Sequence, residues 1–294
     1  MFTRYYFNVF KFIAKYVPVF SKEICDAILD AYSRGEKTVY TTLDMGLTYN
    51  FYKIKNGKLF LDNRNIEIEV LNEIEWREGD LYCIENNAMV KLAWWRKKNY
   101  YKLRSVKYNT APTLEINGIH MHRIKNISPW KDSLLKVKAI SIRNGEKVLD
   151  IGTGLGYTAT ISLQKGAGKV ITVEKDLNVL EMASYNPWSR RLEDERIKIV
   201  VDDASKIIYS FSDNIFDKII HDPPRFSLAG ELYSLKFYRQ LYRVLKPHGI
   251  LFHYTGYPGL LSGKRMVKGM GRRLMKAGFR IEYMPKLLGI LAYK

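Results

Sequence analysis

Three stretches of the 294-residue chain group reactive side chains at spacings that chemistry can use. The first is Ile219-Ile220-His221-Asp222-Pro223-Pro224-Arg225-Phe226. A carboxylate and a proline carbonyl can together accept the two hydrogens of an amine. That favours a more tetrahedral nitrogen, with its lone pair aimed at an electrophile. Two prolines remove backbone donors and stiffen the turn, so Asp222 is held in one place, and positioning lowers a barrier. The second stretch is Val148-Leu149-Asp150-Ile151-Gly152-Thr153-Gly154-Leu155-Gly156-Tyr157. Its glycines allow positive φ and close approach of backbone to a ligand, and the helix that follows offers free N–H groups. A nucleoside fits such a place. The third set is acidic and closes later strands: Glu174, followed by Lys175, lies 24 residues after Asp150, and Asp202-Asp203-Ala204 follows the run Ile197 to Val201. An acid at the Glu174 distance typically holds ribose hydroxyls.

These residues need a frame, and the rhythm of the chain supplies one. From about Trp130, apolar runs alternate with helical stretches. Val148–Ile151, Lys169–Val173, Ile197–Val201, Asp217–Ile220 and Gly249–Tyr254 read as strands. Tyr233–Leu245 reads as a helix closed by Lys246-Pro247-His248-Gly249. Alternation of this kind implies a parallel sheet covered on both faces. Arg280–Met284 and Leu288–Tyr293 read as two last strands. The first part has another rhythm. Short β-rich runs (Val39–Leu43, Leu59–Leu61, Ile66–Val70, Leu81–Ile84, Tyr100–Leu103) are split by Asn-Gly and Gly-Asp turns, after a helix over Ser21–Ser33. We therefore expect an α+β domain over residues 1–125, recruiting substrate, and an α/β domain over 126–294.

The glycine loop reads G-x-G-x-G, one residue short of a dinucleotide fingerprint, and it lacks the G-K-[ST] of a phosphate loop. With Asp150 before it, the loop resembles motif I of class I S-adenosylmethionine-dependent methyltransferases. That resemblance implies a Rossmann-like, seven-stranded sheet and S-adenosylmethionine held by Asp150, Gly152, Thr153, Gly154, Gly156, Tyr157, Glu174, Lys175, Asp202, Asp203 and Ala204. It assigns Glu174 to the ribose, Asp203 to the adenine amine and Asp150 to the loop or the methionine amine. Asp222-Pro223-Pro224 resembles the D/N-P-P-Y/F signature of methyltransferases acting on exocyclic base amines, in which the aromatic stacks on the base. Here Arg225 holds the aromatic's position and Phe226 follows. The chain further resembles a group of predicted archaeal methyltransferases carrying HDPPRF, linked with RNA modification and with cytidine N4 in ribosomal RNA. On that resemblance Asp222, Pro223, Pro224 and Phe226 are catalytic, and His221, Arg225 and Tyr233 meet substrate.

Charge points the same way. Lys plus Arg number 48 against 30 Asp plus Glu, a net of +18, which attracts polyanions. Trp94 to Arg104 interleaves aromatics with cations, among them Arg96, Lys97 and Lys98, as single-stranded RNA binders do. A second set, Lys264, Arg265, Lys268, Arg272, Arg273, Lys276 and Arg280, spaces around Met266, Val267, Met270 and Leu274 as an amphipathic helix. The expected activity is therefore methyl transfer to a base amine in structured RNA (ribosomal or transfer RNA). Two rivals stand beside it: transfer of a methyl or aminopropyl group to a small-molecule or protein amine, and an RNA-binding module without activity. Other classes are excluded. A hydrophobic fraction of 47% with 27% charge is that of a folded globular chain. Cys25 and Cys83 cannot staple a scaffold, and a reducing cytoplasm suits them. Residues 1–20 are interrupted by Arg4, Asn8, Lys11 and Lys15, which suits an amphipathic helix rather than a membrane span. His120 and His122 share a strand face, but no further metal ligands lie near, so no metal is expected.

Overall fold

The computed structural model describes residues 8–61, 64–256 and 260–294, the side chains of 260–264 excepted. It divides into two compact units. Of the described residues, one comprises 8–12, Lys131–Leu180 and those of Arg191–Lys294; the other comprises those of Ile13–Trp130 and Glu181–Arg190. A single cut near residue 125 therefore becomes an exchange. Residues 8–12 go with the later unit, and ten residues after the helix Leu177–Ser184 has begun go with the earlier one.

The larger unit is built on one sheet. Its strands are β1 (Val9–Phe10), β2 (Lys147–Ile151), β3 (Lys169–Glu174), β4 (Ile197–Val201), β5 (Phe216–His221), β6 (Leu245–Tyr254), β7 (Arg280–Met284) and β8 (Gly289–Tyr293). They lie in the order β1-β4-β3-β2-β5-β6-β8-β7. β2 is central, parallel to β3 on one side and to β5 on the other. Strand order reverses there, and the carboxyl ends beside such a reversal form the ligand crevice of an α/β sheet. Val148, Leu149, Val170, Ile199, Ile219, Ile220 and Leu251 are buried, as parallel strands covered on both faces require. The helices between the strands supply the cover. Leu235–Val244 starts at Ser234, whose hydroxyl accepts from the Phe237 N–H at 3.1 Å.

The sheet thus has eight strands where seven were expected. The extra one is β1, a two-residue edge in which Val9 faces Val200 and Phe10 faces Ile199. The helix expected over residues 1–20 is absent from the described part, 8–20; residues 1–7 lie outside the described residues. Val9, Phe10, Val17 and Val19 favour extended backbone, Pro18 disfavours helix at Val17, and the open edge of β4 offers partners. The turn expected at 246–249 is present as an excursion in β6. Phe216 pairs with Leu245 and Lys218 with Ile250, so 246–249 bulge out of the ladder, with His248 at φ 62°. The helix Leu260–Lys276 buries Met270 and Leu274 and leaves Arg265, Lys268, Arg272 and Lys276 exposed.

The smaller unit packs the helix Lys22–Ser33 with the antiparallel sheet of Thr38–Thr41, Asn50–Lys55, Lys58–Leu61 and Arg64–Glu67. Ile24, Cys25, Ile28, Leu59, Ile68 and Leu71 fill the space between. The aromatic and basic stretch is a hairpin. Tyr101 opposite Trp94 is buried, Lys97 makes the turn at φ 53°, and Arg96 pairs with Glu181 at 3.2 Å. Lys102 turns inward, where it and Lys91 hold the buried Asp80 at 2.6 and 2.5 Å. Among the described residues no helix is long and apolar enough to cross a membrane.

The Asp80 pairing carries a test. Removing one side of a buried ion pair strands charge and costs about 3 kcal/mol. Asp80→Ala should lower the urea unfolding free energy by about that amount. A change near zero would show that the two lysines reach water when Asp80 is gone.

Candidate active site

Two loops at the carboxyl ends of β2 and β5 touch through backbone. Gly152 has φ 93°, and a Cβ on it would stand 2.7 Å from the carbonyl oxygen of Asp222. The Asp222 N–H donates to the Ile151 carbonyl at 3.2 Å. Gly156 has φ 73°, and a Cβ there would strike the Leu192 side chain at 2.5 Å. Gly154 differs: a Cβ there would meet nothing within 4 Å, so this turn of the loop opens into free space. Thr153 ties the loop back through its hydroxyl, 2.7 Å from that of Thr172. Tyr157, expected on the cofactor, begins the helix Tyr157–Gln164 with its side chain buried, because the helix packs that face on the sheet.

Asp150 lies wholly inside. Thr158 and Thr172 donate to its two oxygens at 2.9 and 2.8 Å. Burial pushes its pKa up to about 7; the threonine bonds oppose the shift, and the charges of Asp222 and Glu174 add to it. With both oxygens bonded, Asp150 acts on the loop through the threonines. Glu174, at the end of β3, is half-buried. It receives the N–H of Gly154 at 3.1 Å on one oxygen and those of Lys175 and Asp176 at 2.9 and 3.0 Å on the other. Burial raises its pKa against these three bonds. A carboxylate so fixed keeps lone pairs for hydroxyl donors. At the end of β4, Asp203 caps the turn Ala204–Ile207 by accepting from the Ser205 N–H at 2.8 Å, and Asp202 stands exposed beside it.

Just past the end of β5, Asp222 is partly exposed, and its Oδ2 receives Lys136 Nζ at 2.7 Å. Lys136 comes from the helix Pro129–Ala139 and was not singled out in the sequence. Its side chain is 4% exposed, it also holds Asp132 at 2.9 Å, and its Nζ sits 4.0 Å over the Tyr254 ring. Burial pulls the Lys136 pKa down, but the two carboxylates outweigh it and hold the ammonium above the usual lysine range. A signal was legible: Asp132 and Lys136 fall on the stripe shared with Ser133, Val137 and Ile140, all buried. Two charges on a buried stripe at i,i+4 require partners. Pro224 accepts from the Tyr233 hydroxyl at 2.8 Å, and Phe226, half-exposed, meets the Tyr233 ring edge-on at 5.3 Å. Arg225 is exposed.

His221, expected at the substrate, lies wholly in the core. Alternation along β5 sends it to the opposite side from Asp222. It stacks on His253 at 4.5 Å and 15°, beside Phe237 and Tyr238. Burial keeps both imidazoles neutral, lowering the His221 pKa well below its usual value and that of His253 to about 4. Arg96, Lys97 and Lys98 belong to the smaller unit.

The spermine/spermidine synthase domain family matches residues 129–288, the span that carries every element of this site. The chain belongs to that family. It is 41% identical over 285 residues to the uncharacterized protein MJ1233 of Methanocaldococcus jannaschii, covering 93% of this chain and 94% of that protein. It is 27% identical over 187 residues to a polyamine aminopropyltransferase of Prochlorococcus marinus, and 28% identical over 165 residues to one of Clostridioides difficile. These alignments take in 60% and 55% of this chain and 63% and 58% of the two relatives, so the chain spans about three-fifths of their length. A spermidine synthase bound to the transition-state analogue AdoDATO shares the fold, with a TM-score of 0.56, 23% identity and coverage of 71% of this chain and 76% of that one. The spermidine synthase of Thermotoga maritima does so with a TM-score of 0.52, 22% identity and coverage of 71% and 75%.

Membership of this family overturns the expectation of a base N-methyltransferase with RNA as partner. The physical reason lies in the shared frame. A glycine loop with acids on the neighbouring strands suits an adenosyl sulfonium, whichever carbon on the sulfur is transferred. Some of the cations read as an RNA surface serve the fold: Arg96 and Lys102 form ion pairs and Arg273 donates to the Tyr233 carbonyl at 2.8 Å, while Arg265, Lys268, Arg272 and Lys276 are exposed. The Rossmann-like α/β frame stands.

The Asp150 environment generates a pH prediction. Its folded pKa near 7 exceeds the ordinary 3.8, so the folded state binds the extra proton between those values. Stability then falls as pH rises through that window. Relative to Asp150→Asn, the wild type should lose at least ~1 kcal/mol of unfolding free energy between pH 4 and pH 7. Urea titrations at both pH values check it; a relative gain by the wild type would refute the assignment.

Proposed function

We propose that this chain transfers an aminopropyl group from decarboxylated S-adenosylmethionine to the nitrogen of an amine. The observation that carries the reading is the juxtaposition of the two loops. The glycine loop, whose Gly154 N–H is held by Glu174, meets the Asp222 loop through backbone, Gly152 against the Asp222 carbonyl, which supports an adenosyl group on the one loop and an amine at the other. The family match over 129–288 supports aminopropyl rather than methyl transfer.

The residues fit such a donor. The open turn at Gly154 admits a ligand against backbone, Glu174 is oriented for ribose hydroxyls, and Asp203 with the Ala204 N–H stands at the next strand end for the adenine edge. The donor supplies a sulfonium whose propyl carbon is electrophilic. A nitrogen–carbon bond forms, the carbon–sulfur bond breaks with its electrons passing to sulfur, and 5′-methylthioadenosine leaves. The nitrogen releases one proton. Asp222 accepts hydrogens of the amine and so orients its lone pair. Its carboxylate also opposes the positive charge that gathers on nitrogen as the bond forms. Tyr233 fixes the loop by donating to Pro224, and Phe226 and Tyr233 give the acceptor an aromatic wall.

Incubation with decarboxylated S-adenosylmethionine and a panel of primary amines should release 5′-methylthioadenosine together with an adduct heavier by one aminopropyl group, read by mass spectrometry. Methylated amine from intact S-adenosylmethionine, with no aminopropyl adduct, would overturn the reading. Asp222→Asn should lower kcat by roughly 100-fold or more, as loss of a positioned proton acceptor does, while 5′-methylthioadenosine binding stays within about threefold. Glu174→Gln should do the opposite, weakening 5′-methylthioadenosine binding by about tenfold or more through loss of a charged hydrogen bond.

A further inference from the structure

One cation of the helix Leu260–Lys276 is not on its solvent face. Arg273 is half-buried, beside the buried Leu274 and one turn after the buried Met270. Its Nε–H donates to the Tyr233 carbonyl at 2.8 Å. That carbonyl closes the short turn Gly230–Tyr233, where partners within the turn run out and a charged donor is welcome. The hydroxyl of the same Tyr233 donates to the Pro224 carbonyl at 2.8 Å. The Arg273 guanidinium also hydrogen-bonds the Tyr238 hydroxyl. A guanidinium only donates, so the Tyr238 proton is left for His253 Nε2, 2.8 Å away. With Nε2 an acceptor, the neutral His253 carries its proton on Nδ1, which faces the His221 carbonyl at 3.4 Å. Two lines of hydrogen bonds therefore start at one guanidinium. They end on the carbonyls of His221 and Pro224, and Asp222 lies between those two residues.

We infer that Arg273 is a positioning residue for Asp222, acting on the turn 221–224 from both sides, through Tyr233 on one and through Tyr238 and His253 on the other. The turn has few handles of its own. Pro223 and Pro224 have no N–H to donate, and the Asp222 N–H is already given to the Ile151 carbonyl at 3.2 Å. What remains are carbonyls, which need donors from outside. A guanidinium can serve two diverging lines because its donors are fixed in one rigid plane, whereas an ammonium is a point charge on a flexible stem. The consequence for turnover rests on the aminopropyl-transfer reading; the consequence for the turn does not, and hydrogen exchange reads it without turnover.

Arg273→Met should speed hydrogen exchange over residues 219–226 roughly tenfold, with the Asp222 amide as reporter. Exchange over 150–157 should stay within about twofold, because Gly152 and Thr153 donate to Val173 and Gly154 to Glu174. The kcat for 5′-methylthioadenosine release should fall roughly tenfold, short of the ~100-fold that a displacement of about 1 Å costs. Binding of 5′-methylthioadenosine should keep its stoichiometry and stay within about threefold in affinity. Arg272→Met, at the exposed neighbour, should leave both exchange and kcat within about twofold, and Arg273→Lys should recover only part of the rate. The deciding comparison uses Tyr233→Phe with Tyr238→Phe, which cuts both lines. Adding Arg273→Met to that pair should cost less than about twofold more, whereas a role confined to packing the helix costs the same factor in either background. Should Arg273→Met fail to fold, Arg273→Lys takes its place in the comparison. Unchanged exchange over 219–226, or an undiminished effect in the doubly substituted background, would overturn the inference. Faster exchange in Arg273→Met, in a protein whose wild type releases no 5′-methylthioadenosine, would sink aminopropyl transfer alone. Release by wild type with exchange and kcat unmoved by Arg273→Met would sink the role of Arg273 alone.

Discussion

The site depends on one close approach: the backbone of Gly152 against the carbonyl of Asp222. No side chain fits between them, since a Cβ at residue 152 would stand 2.7 Å from that oxygen. The candidate site residues are arranged around this contact. β2 and β5 must be adjacent and in register, so that Ile151 pairs with His221 and the two loops emerge level. The glycine loop must turn at once, with φ 93° at Gly152. The Pro-Pro turn must leave in the other direction. Backbone alone thus sets the separation of the two loops.

Around that contact the larger unit buries an unusual amount of charge, and each buried group has a distinct physical reason to be there. Asp150 ties strand to loop and helix through two threonines, and its pKa near 7 reports what that burial costs. Lys136 is tolerated because two carboxylates and the face of Tyr254 replace the water it gave up. The His221–His253 stack is neutral; Tyr238 takes one His253 nitrogen at 2.8 Å, while neither nitrogen of His221 finds a hydrogen-bond partner among the described residues. A core of this kind trades stability for a fixed shape beneath the crevice.

Much of this was legible in the sequence, and the parts that were not share a cause. Strands β2 to β5 could be read because parallel strands covered on both faces are continuous apolar runs. The loop glycines could be read because only glycine takes those φ values beside a ligand. Lys136 was overlooked because its meaning depends on Asp222, 86 residues away; from the helix alone it is one cation among 48. His221 was misplaced because its neighbour is reactive, although alternation along a strand sends adjacent residues to opposite faces. The first twenty residues carry a helical spacing of apolar side chains, yet their described part holds two short strands, Val9–Phe10 and Val19–Phe20, and no helix. The unpaired edge of β4 outweighs that local pattern, as tertiary context does in short segments.

The reading of the substrate erred for a related reason. An excess of 18 positive charges describes the field of a whole molecule, and a field does not distinguish a ligand from bulk counter-ions. What a site selects is set by charges within a few ångströms in low dielectric, where a single lysine counts for more than a dozen on the surface. At the end of β5 the near charge is Asp222, a partly exposed carboxylate in a chain of net positive charge. A chain strongly basic overall therefore carries, beside the glycine loop, a carboxylate held by a buried ammonium. Only the fold, by bringing Asp132, Lys136 and Asp222 together, makes that arrangement visible.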